Sequence, residues 1–162
     1  MRLYRLNETT GEYMIANKTD LLAASQRLAS LQHRKPVISN ASAFIQYLRL
    51  QMENLPTEQL RVIYLDNANR ILGDQVLSEG VEDQTAVYPR KIMQEALKRN
   101  ATGIIVTHNH PAGQPRPTDT DLVITKALHK ACKTLDIRFL DHLIIAADGG
   151  SGYFSFREEG LI

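Results

Sequence analysis

One cysteine, Cys132, stands in 162 residues, so no internal disulfide can form. It falls within a helix-like apolar pattern, which points to a buried thiol and a reducing, cytoplasmic setting. Long apolar runs are missing as well. No stretch approaches the roughly 18 consecutive apolar residues of a membrane span, and the opening MRLYRLNETTGEY lacks the apolar core of a secretory signal. The expectation is a cytoplasmic protein without a membrane partner. Charge excess is absent too: 19 Lys and Arg stand against 18 Asp and Glu, a formal net charge of +1. That excludes a strongly basic nucleic-acid wrap and an acidic tail, although a local basic patch is compatible with it. No internal repeat is visible.

What is present is enough apolar sequence for a core. Hydrophobic residues make up 43% of the chain, and at this length folding withdraws roughly two thirds of the chain's surface from water without help from a disulfide or structural metal. A metal, where one binds, therefore serves chemistry. The chain reads as one globular domain over 41–162 preceded by an extension over 1–40. In the extension, Leu3, Tyr4, Leu6 and Tyr13, Met14, Ile15 flank a turn-like Asn7-Glu8-Thr9-Thr10-Gly11, the pattern of a small hairpin. Asp20 then opens a helix carrying Leu21, Leu22, Ala24, Leu28 and Leu31, and residues 33–40 form a linker around Pro36.

In the main domain, Ser39 and Asn40 are capping residues for a helix with Phe44, Ile45, Leu48, Leu50 and Met52 as its apolar positions, ending near Leu55-Pro56. A dense β-compatible run (Leu60, Val62, Ile63, Tyr64, Leu65), the turn cluster Asp66-Asn67-Ala68-Asn69 and a second run over 71–77 predict a hairpin closed by Gly80. Pro89 starts a helix with Ile92, Met93, Ala96 and Leu97 on its stripe, up to Asn100. Residues 103–107 are apolar enough for a central strand, which runs straight into His108-Asn109-His110. A loop rich in Pro and Gly over 111–117 leads to a helix over 118–134 with Ile124, Leu128, Ala131 and Leu135 on one face; strands follow at 137–147 and 153–156. The order α-β-β-α-β-α-β-β implies a mixed sheet packed against helices.

The informative stretch is THNHPAGQPRPTDTD, residues 107–121. Residues i and i+2 of a strand project to the same side, so His108 and His110 can offer two imidazoles to one small cation. Pro111, Pro115 and Pro117 stiffen the loop, and Asp121 sits in the first turn of the next helix, from where it can deliver a carboxylate. Two nitrogens and one carboxylate oxygen leave a fourth tetrahedral position for water, the open arrangement of a catalytic zinc. Each member also has a plainer reading. Thr118-x-x-Asp121 is a capping-box pattern that accounts for both residues on its own, and a His-x-His at a strand end can be a polar rim. His33, His129 and His142 have no evident metal partner in the sequence.

The run His-x-His, seven residues, Thr118, two residues, Asp121 resembles the JAMM motif of the JAB/MPN domain, with Thr118 where that motif has serine. Over roughly residues 53–162, the segments ENLPTEQLRVIYLD, VYPRKIMQEAL, HNHPAGQPRPTDTDLVITKAL, LDIRFLDHLIIAADGGSGYFSF and FREEGLI resemble the RadC family. The resemblance implies an α/β fold, a three-layer mixed sheet flanked by helices in the JAB/MPN (cytidine deaminase-like) architecture. It implies that His108, His110 and Asp121 ligate zinc and that Thr118 hydrogen-bonds the reacting water or oxyanion. Glu58, directly ahead of the first core strand, matches the proton-shuttling glutamate, with Glu53 a weaker candidate. Asp141-His142 matches a RadC pair that would orient ligands or shape the cleft, and Arg90 follows the family pattern as a partner for an acid or an anionic group. Longer RadC proteins carry a helix-hairpin-helix region, and the first 36 residues here are too short for it, so its DNA-binding role is not transferred.

Three functions follow as expectations. The first is a zinc-dependent hydrolase, a metallopeptidase or isopeptidase acting on a peptide or isopeptide substrate. The second is a DNA-associated or DNA-processing protein, for which Arg34, Lys35, Lys91, Lys98, Arg99, Lys126, Lys130 and Lys133 would form the basic surface. The third is a non-catalytic MPN interaction module, against which the intact His108, His110 and Asp121 argue. A zinc deaminase needs a Cys-x-x-Cys pair that a single cysteine cannot supply, and an HNH nuclease spreads its histidines over a longer unit.

Overall fold

The computed structural model describes residues 4–6, 13–15, 19, 22, 37, 38, 40–79, 89–111, 113–147 and 152–162. They belong to two compact units, Met1–Lys35 and Pro36–Ile162. In the smaller unit, β1 (Tyr4–Leu6) pairs antiparallel with β2 (Tyr13–Ile15), Tyr4 opposite Ile15. The turn between them lies outside the described residues. So does the helix expected from Asp20, Leu22 apart, and so does Gly80.

Among its described residues, the larger unit is a five-stranded sheet in the order β4-β3-β5-β6-β7, with three helices. Its strands are β3 (Gln59–Leu65), β4 (Ile71–Glu79), β5 (Gly103–His110), β6 (Arg138–Ala146) and β7 (Tyr153–Ser155). The helices are α1 (Ala41–Met52), α2 (Pro89–Lys98) and α3 (Asp119–Thr134). β5 and β6 run parallel while the other neighbours run antiparallel, so the sheet is mixed, as the order of elements predicted. A parallel pair needs a crossover, and α3 is that crossover.

Alternation along the central strands builds two apolar layers. Val62, Tyr64, Ile104 and Val106 face Ile92, Met93 and Ala96 of α2 and Leu128 and Cys132 of α3. Ile63, Leu65 and Ile105 face Phe44, Leu48 and Met52 of α1 on the other side. The result is the three-layer α/β architecture expected for a JAB/MPN domain. Burial on both faces explains why β3 and β5 read as continuous apolar runs rather than as alternating ones.

Three leucines expected inside are outside. Leu50 is 83% exposed, because two positions beyond Leu48 is about 200° around a helix. Leu97 is 55% exposed, one step of about 100° past Ala96. Leu135 caps α3 rather than lying on it and is 41% exposed. The side chain of Asn40 accepts from the backbone N–H groups of Ser42 and Ala43, the capping role its position implied. α1 ends at Met52, short of Leu55-Pro56. In the β3–β4 turn, Asp66 Oδ1 accepts from the N–H groups of Ala68 and Arg70, and Asn69 takes a left-handed conformation at φ 57°.

Candidate metal centre

β5 is the spine of the site. Its last three residues remain in the strand, so His108 and His110 project from one face and Asn109 from the other. Three neighbours then meet that end. The antiparallel register that sets Leu60 opposite His108 carries Glu58, two residues earlier, to the level of His110. The parallel register with β6 sets His142 opposite Val106, next to His108 on the same face. α3 crosses over that face with Asp121 and Thr125 four residues apart, one turn of helix, both buried.

Ligand atoms of Glu58, His108, His110 and Asp121 all lie within 4.8 Å of one another. The Nε2 atoms of His108 and His110 are 2.9 Å apart. Asp121 Oδ1 is 3.3 Å from His108 Nε2, Asp121 Oδ2 is 3.8 Å from His110 Nε2, and Glu58 Oε1 is 3.8 Å from His108 Nε2. His110 Nδ1 lies 2.9 Å from the carbonyl of Gln114, which can only accept, so this nitrogen carries a proton and Nε2 is the atom turned toward His108 and Asp121. Burial is the main force that takes the pKa of His108 down to about 4; the charge of Asp121 opposes the shift and that of His110 adds to it. A neutral His108 beside an anionic carboxylate is not an ion pair. It is a convergence of acceptors, and a divalent cation fits such a donor set of two imidazoles and carboxylates.

Asp121 is a cap in the structure, and its two oxygens divide so that one is left to face the histidines. Its Oδ2 accepts from Thr118 N at 2.7 Å and from Thr118 Oγ1 at 2.6 Å, while Thr118 Oγ1 accepts from Asp121 N at 3.2 Å, a complete capping box. Oδ1 is the oxygen turned to His108. The hydroxyl proton of Thr118 is therefore directed to Asp121, and contact with a reacting oxygen requires its release. Thr118, Glu58, His110, Pro111, Gln114 and Arg116 line an open cleft of about 400 Å³ beside the cluster.

The Asp141-His142 pair splits. The His142 ring reaches the cluster's edge, with Nε2 2.9 Å from His108 Nδ1 and its face stacked on Phe156 at 4.8 Å. Asp141 instead accepts from Ser155 Oγ at 2.6 Å, from Arg157 N at 3.1 Å and from His142 N at 2.7 Å, which ties β6 to β7 and the C-terminal segment. Burial raises its pKa against the pull of those donors and of the Arg157 guanidinium. Glu53 lies 3.5 Å from Arg49 Nε and outside the cluster, and Arg90 is an exposed residue of α2.

Sequence reasoning missed two buried side chains. Asn109 Oδ1 accepts from Gln59 N at 2.9 Å and its Nδ2 donates to Thr57 O at 3.1 Å, gripping the backbone on both sides of Glu58. Thr125 Oγ1 lies 2.6 Å from both Asp121 O and His142 Nδ1. The available signal was a polar residue four positions after Asp121, on the helix stripe that continues through Leu128 and Cys132.

Comparison with known proteins identifies the family. Residues 38–161 match the RadC-like JAB domain. A UPF0758 protein of Rhodobacter capsulatus is 38% identical over 161 residues, covering 98% of this chain and 74% of that one. UPF0758 proteins of Pseudoalteromonas translucida and Ruegeria pomeroyi are 41% and 38% identical, covering 88% and 94% of this chain and 62% and 67% of their own lengths. This chain thus spans about two thirds to three quarters of the relatives it matches. By the extent of the domain match and the identity to these relatives, the chain belongs to the RadC family, with a JAB domain as its main unit.

Proposed function

We propose that this protein is a zinc-dependent hydrolase of JAMM type, a metallopeptidase or isopeptidase that cleaves an amide bond with an activated water. The observation that supports it most is the convergence of His108, His110 and Asp121 on one point, with Glu58 beside them at the mouth of a cleft. His108, His110 and Asp121 would hold the ion, leaving a position open to solvent. Zinc bound there supplies Lewis acidity for the scissile carbonyl and lowers the pKa of water toward about 7.

The chain's own groups do the rest. Glu58 Oε1 takes the proton of the attacking water and returns it to the leaving nitrogen, which needs a carboxylate within hydrogen-bond reach of both. Asn109 keeps the backbone of Glu58 in register with the histidines. Thr118 steadies Asp121 and, on releasing Asp121 Oδ2, can donate to the developing oxyanion. Asp141 shapes the far side of the centre through β7, and His142 backs His108. The cleft beside the cluster gives a peptide or isopeptide substrate a place to lie against Glu58 and His110. Among the described residues no helix is long and apolar enough to cross a membrane.

The test joins metal analysis to a substrate panel. Protein purified without added metal should contain close to one zinc per chain, lost in the His108→Ala and His110→Ala variants, and should cleave a peptide or isopeptide in a chelator-sensitive manner. Chelator-sensitive cleavage of DNA with no action on peptides would replace the substrate class by the DNA-processing one. Absence of zinc in the wild type, unchanged by the substitutions, would leave an interaction module.

A further inference from the structure

We propose that Thr125 fixes the tautomer in which His108 faces the metal cluster, acting through His142. The inference deepens the metal-site reading above and rests on it.

The proton positions follow from which groups can only accept. The backbone carbonyl of Asp121 has no proton, so the 2.6 Å contact from Thr125 Oγ1 uses the only hydrogen of that hydroxyl. The 2.6 Å contact between Thr125 Oγ1 and His142 Nδ1 must then run the other way, with His142 Nδ1–H donating. His142 is fully buried, and its two ring nitrogens meet a hydroxyl and another imidazole rather than a carboxylate, so the ring is neutral and has one proton. That proton is on Nδ1, so Nε2 accepts, and the 2.9 Å contact with His108 is a donation from His108 Nδ1–H. His108 is thereby left with a bare Nε2, the atom turned to Asp121, Glu58 and His110.

Reversing one link reverses them all. A proton on His142 Nε2 would be donated to His108 Nδ1 and would force the His108 proton onto Nε2, into the space a cation takes. Thr125 is therefore a positioning residue that touches no ligand of the cluster through its side chain except the main-chain carbonyl of Asp121. Outer partners of this kind set ring orientation and basicity in metal sites, and their loss costs about 10- to 100-fold in metal affinity.

The experiment compares wild type, Thr125→Ser and Thr125→Val by zinc competition against a chromophoric chelator, with thermal unfolding as the folding control. Thr125→Ser, which keeps the hydroxyl, should bind zinc within about threefold of wild type, and folded Thr125→Val should bind about 10- to 100-fold more weakly. Equal affinity in all three overturns the inference. Long-range proton–nitrogen NMR of metal-free wild type reads the tautomers directly, with no metal to impose them, and does not depend on the variants folding. Protons on Nδ1 of both His108 and His142 support the relay, and a proton on His142 Nε2 overturns it. Should wild type take up no zinc, the metal reading fails, and the relay is judged on His142 in the same spectrum.

Discussion

Asn109 and Gln59 are fifty positions apart in sequence, yet the backbone N–H of Gln59 donates to Asn109 Oδ1 at 2.9 Å, and the same side chain donates to Thr57 O on the other side of Glu58. One buried amide thus closes the gap between the strand that carries both histidines and the turn that carries the glutamate. Because Asn109 lies between His108 and His110 on β5, the position of Glu58 relative to the pair is set by three consecutive residues and one register.

Truncating that amide should therefore uncouple the glutamate from the metal ligands. In Asn109→Ala, Thr57 O and Gln59 N lose their partner at a half-buried site that water can reach, so each lost bond should cost about 0.5–1.5 kcal/mol. Urea unfolding should show a loss of that order. Zinc affinity should stay within about threefold of wild type, because no ligand is touched, while turnover falls as Glu58 drifts. A variant as stable and as active as wild type would mean that the two hydrogen bonds have no part in placing Glu58.

Glu58→Gln should separate metal binding from chemistry. The amide has the shape of the carboxylate and cannot take a proton, so zinc content should be unchanged while hydrolysis falls by about 10²- to 10⁴-fold, the usual scale of a positioned proton-transfer group. Zinc analysis and turnover on the same preparation check both halves, and equal turnover removes Glu58 from the proposed mechanism.

The end of β5 was legible because its chemistry is local. His-x-His on a strand and an acid in the next helical turn can be placed from spacing alone, and the order of helices and strands followed from periodicity. What escaped depends on contacts across the sheet. Asn109 points to the opposite face from its neighbours and finds its partners fifty positions back, and Thr125 acquires meaning only once β6 brings His142 under α3. Asp141 illustrates the same point from the other side. Adjacent to His142 in sequence, it projects away from the ring and binds Ser155 and Arg157, which alternation along a strand dictates but a paired motif conceals. Leu50 and Leu97 read as core because they are leucines, and the helix face they occupy decided otherwise.

On the proposed function, Asp121→Asn should weaken two properties at once, since one carboxylate would serve both. Loss of charge at Oδ1 lowers metal retention, seen as faster zinc loss to a chelator. At the start of α3 an amide is a poorer acceptor for Thr118 N and Oγ1 and complements the helix dipole less well, so metal-free protein should lose about 0.5–1 kcal/mol. Thr118→Ser, which keeps the hydroxyl of the capping box, should match wild type in the same unfolding measurement.

Acid should destabilise the metal-free protein well above the carboxylate range. Burial, with the charges of His108 and His110, holds His142 far below the ordinary histidine value, and burial against the pull of Asp121 holds His108 at about 4. Both rings are thus neutral in the fold, whereas in the unfolded chain each takes up a proton near pH 6.5. A group whose folded pKa is depressed favours the native state above its unfolded value, and that contribution shrinks as pH falls from there toward the folded value. For each histidine the unfolding free energy should drop by up to about 1.4 kcal/mol per pH unit, about 2.7 for the pair. Asp141, raised by burial, works in the opposite direction, so Asp141→Asn in the same series separates its contribution from that of the histidines. Urea unfolding of chelator-treated protein at pH 7, 6 and 5 reads the effect. A flat profile over that interval would mean that the folded protein already carries the protons, and that the acceptors facing the cluster are not bare.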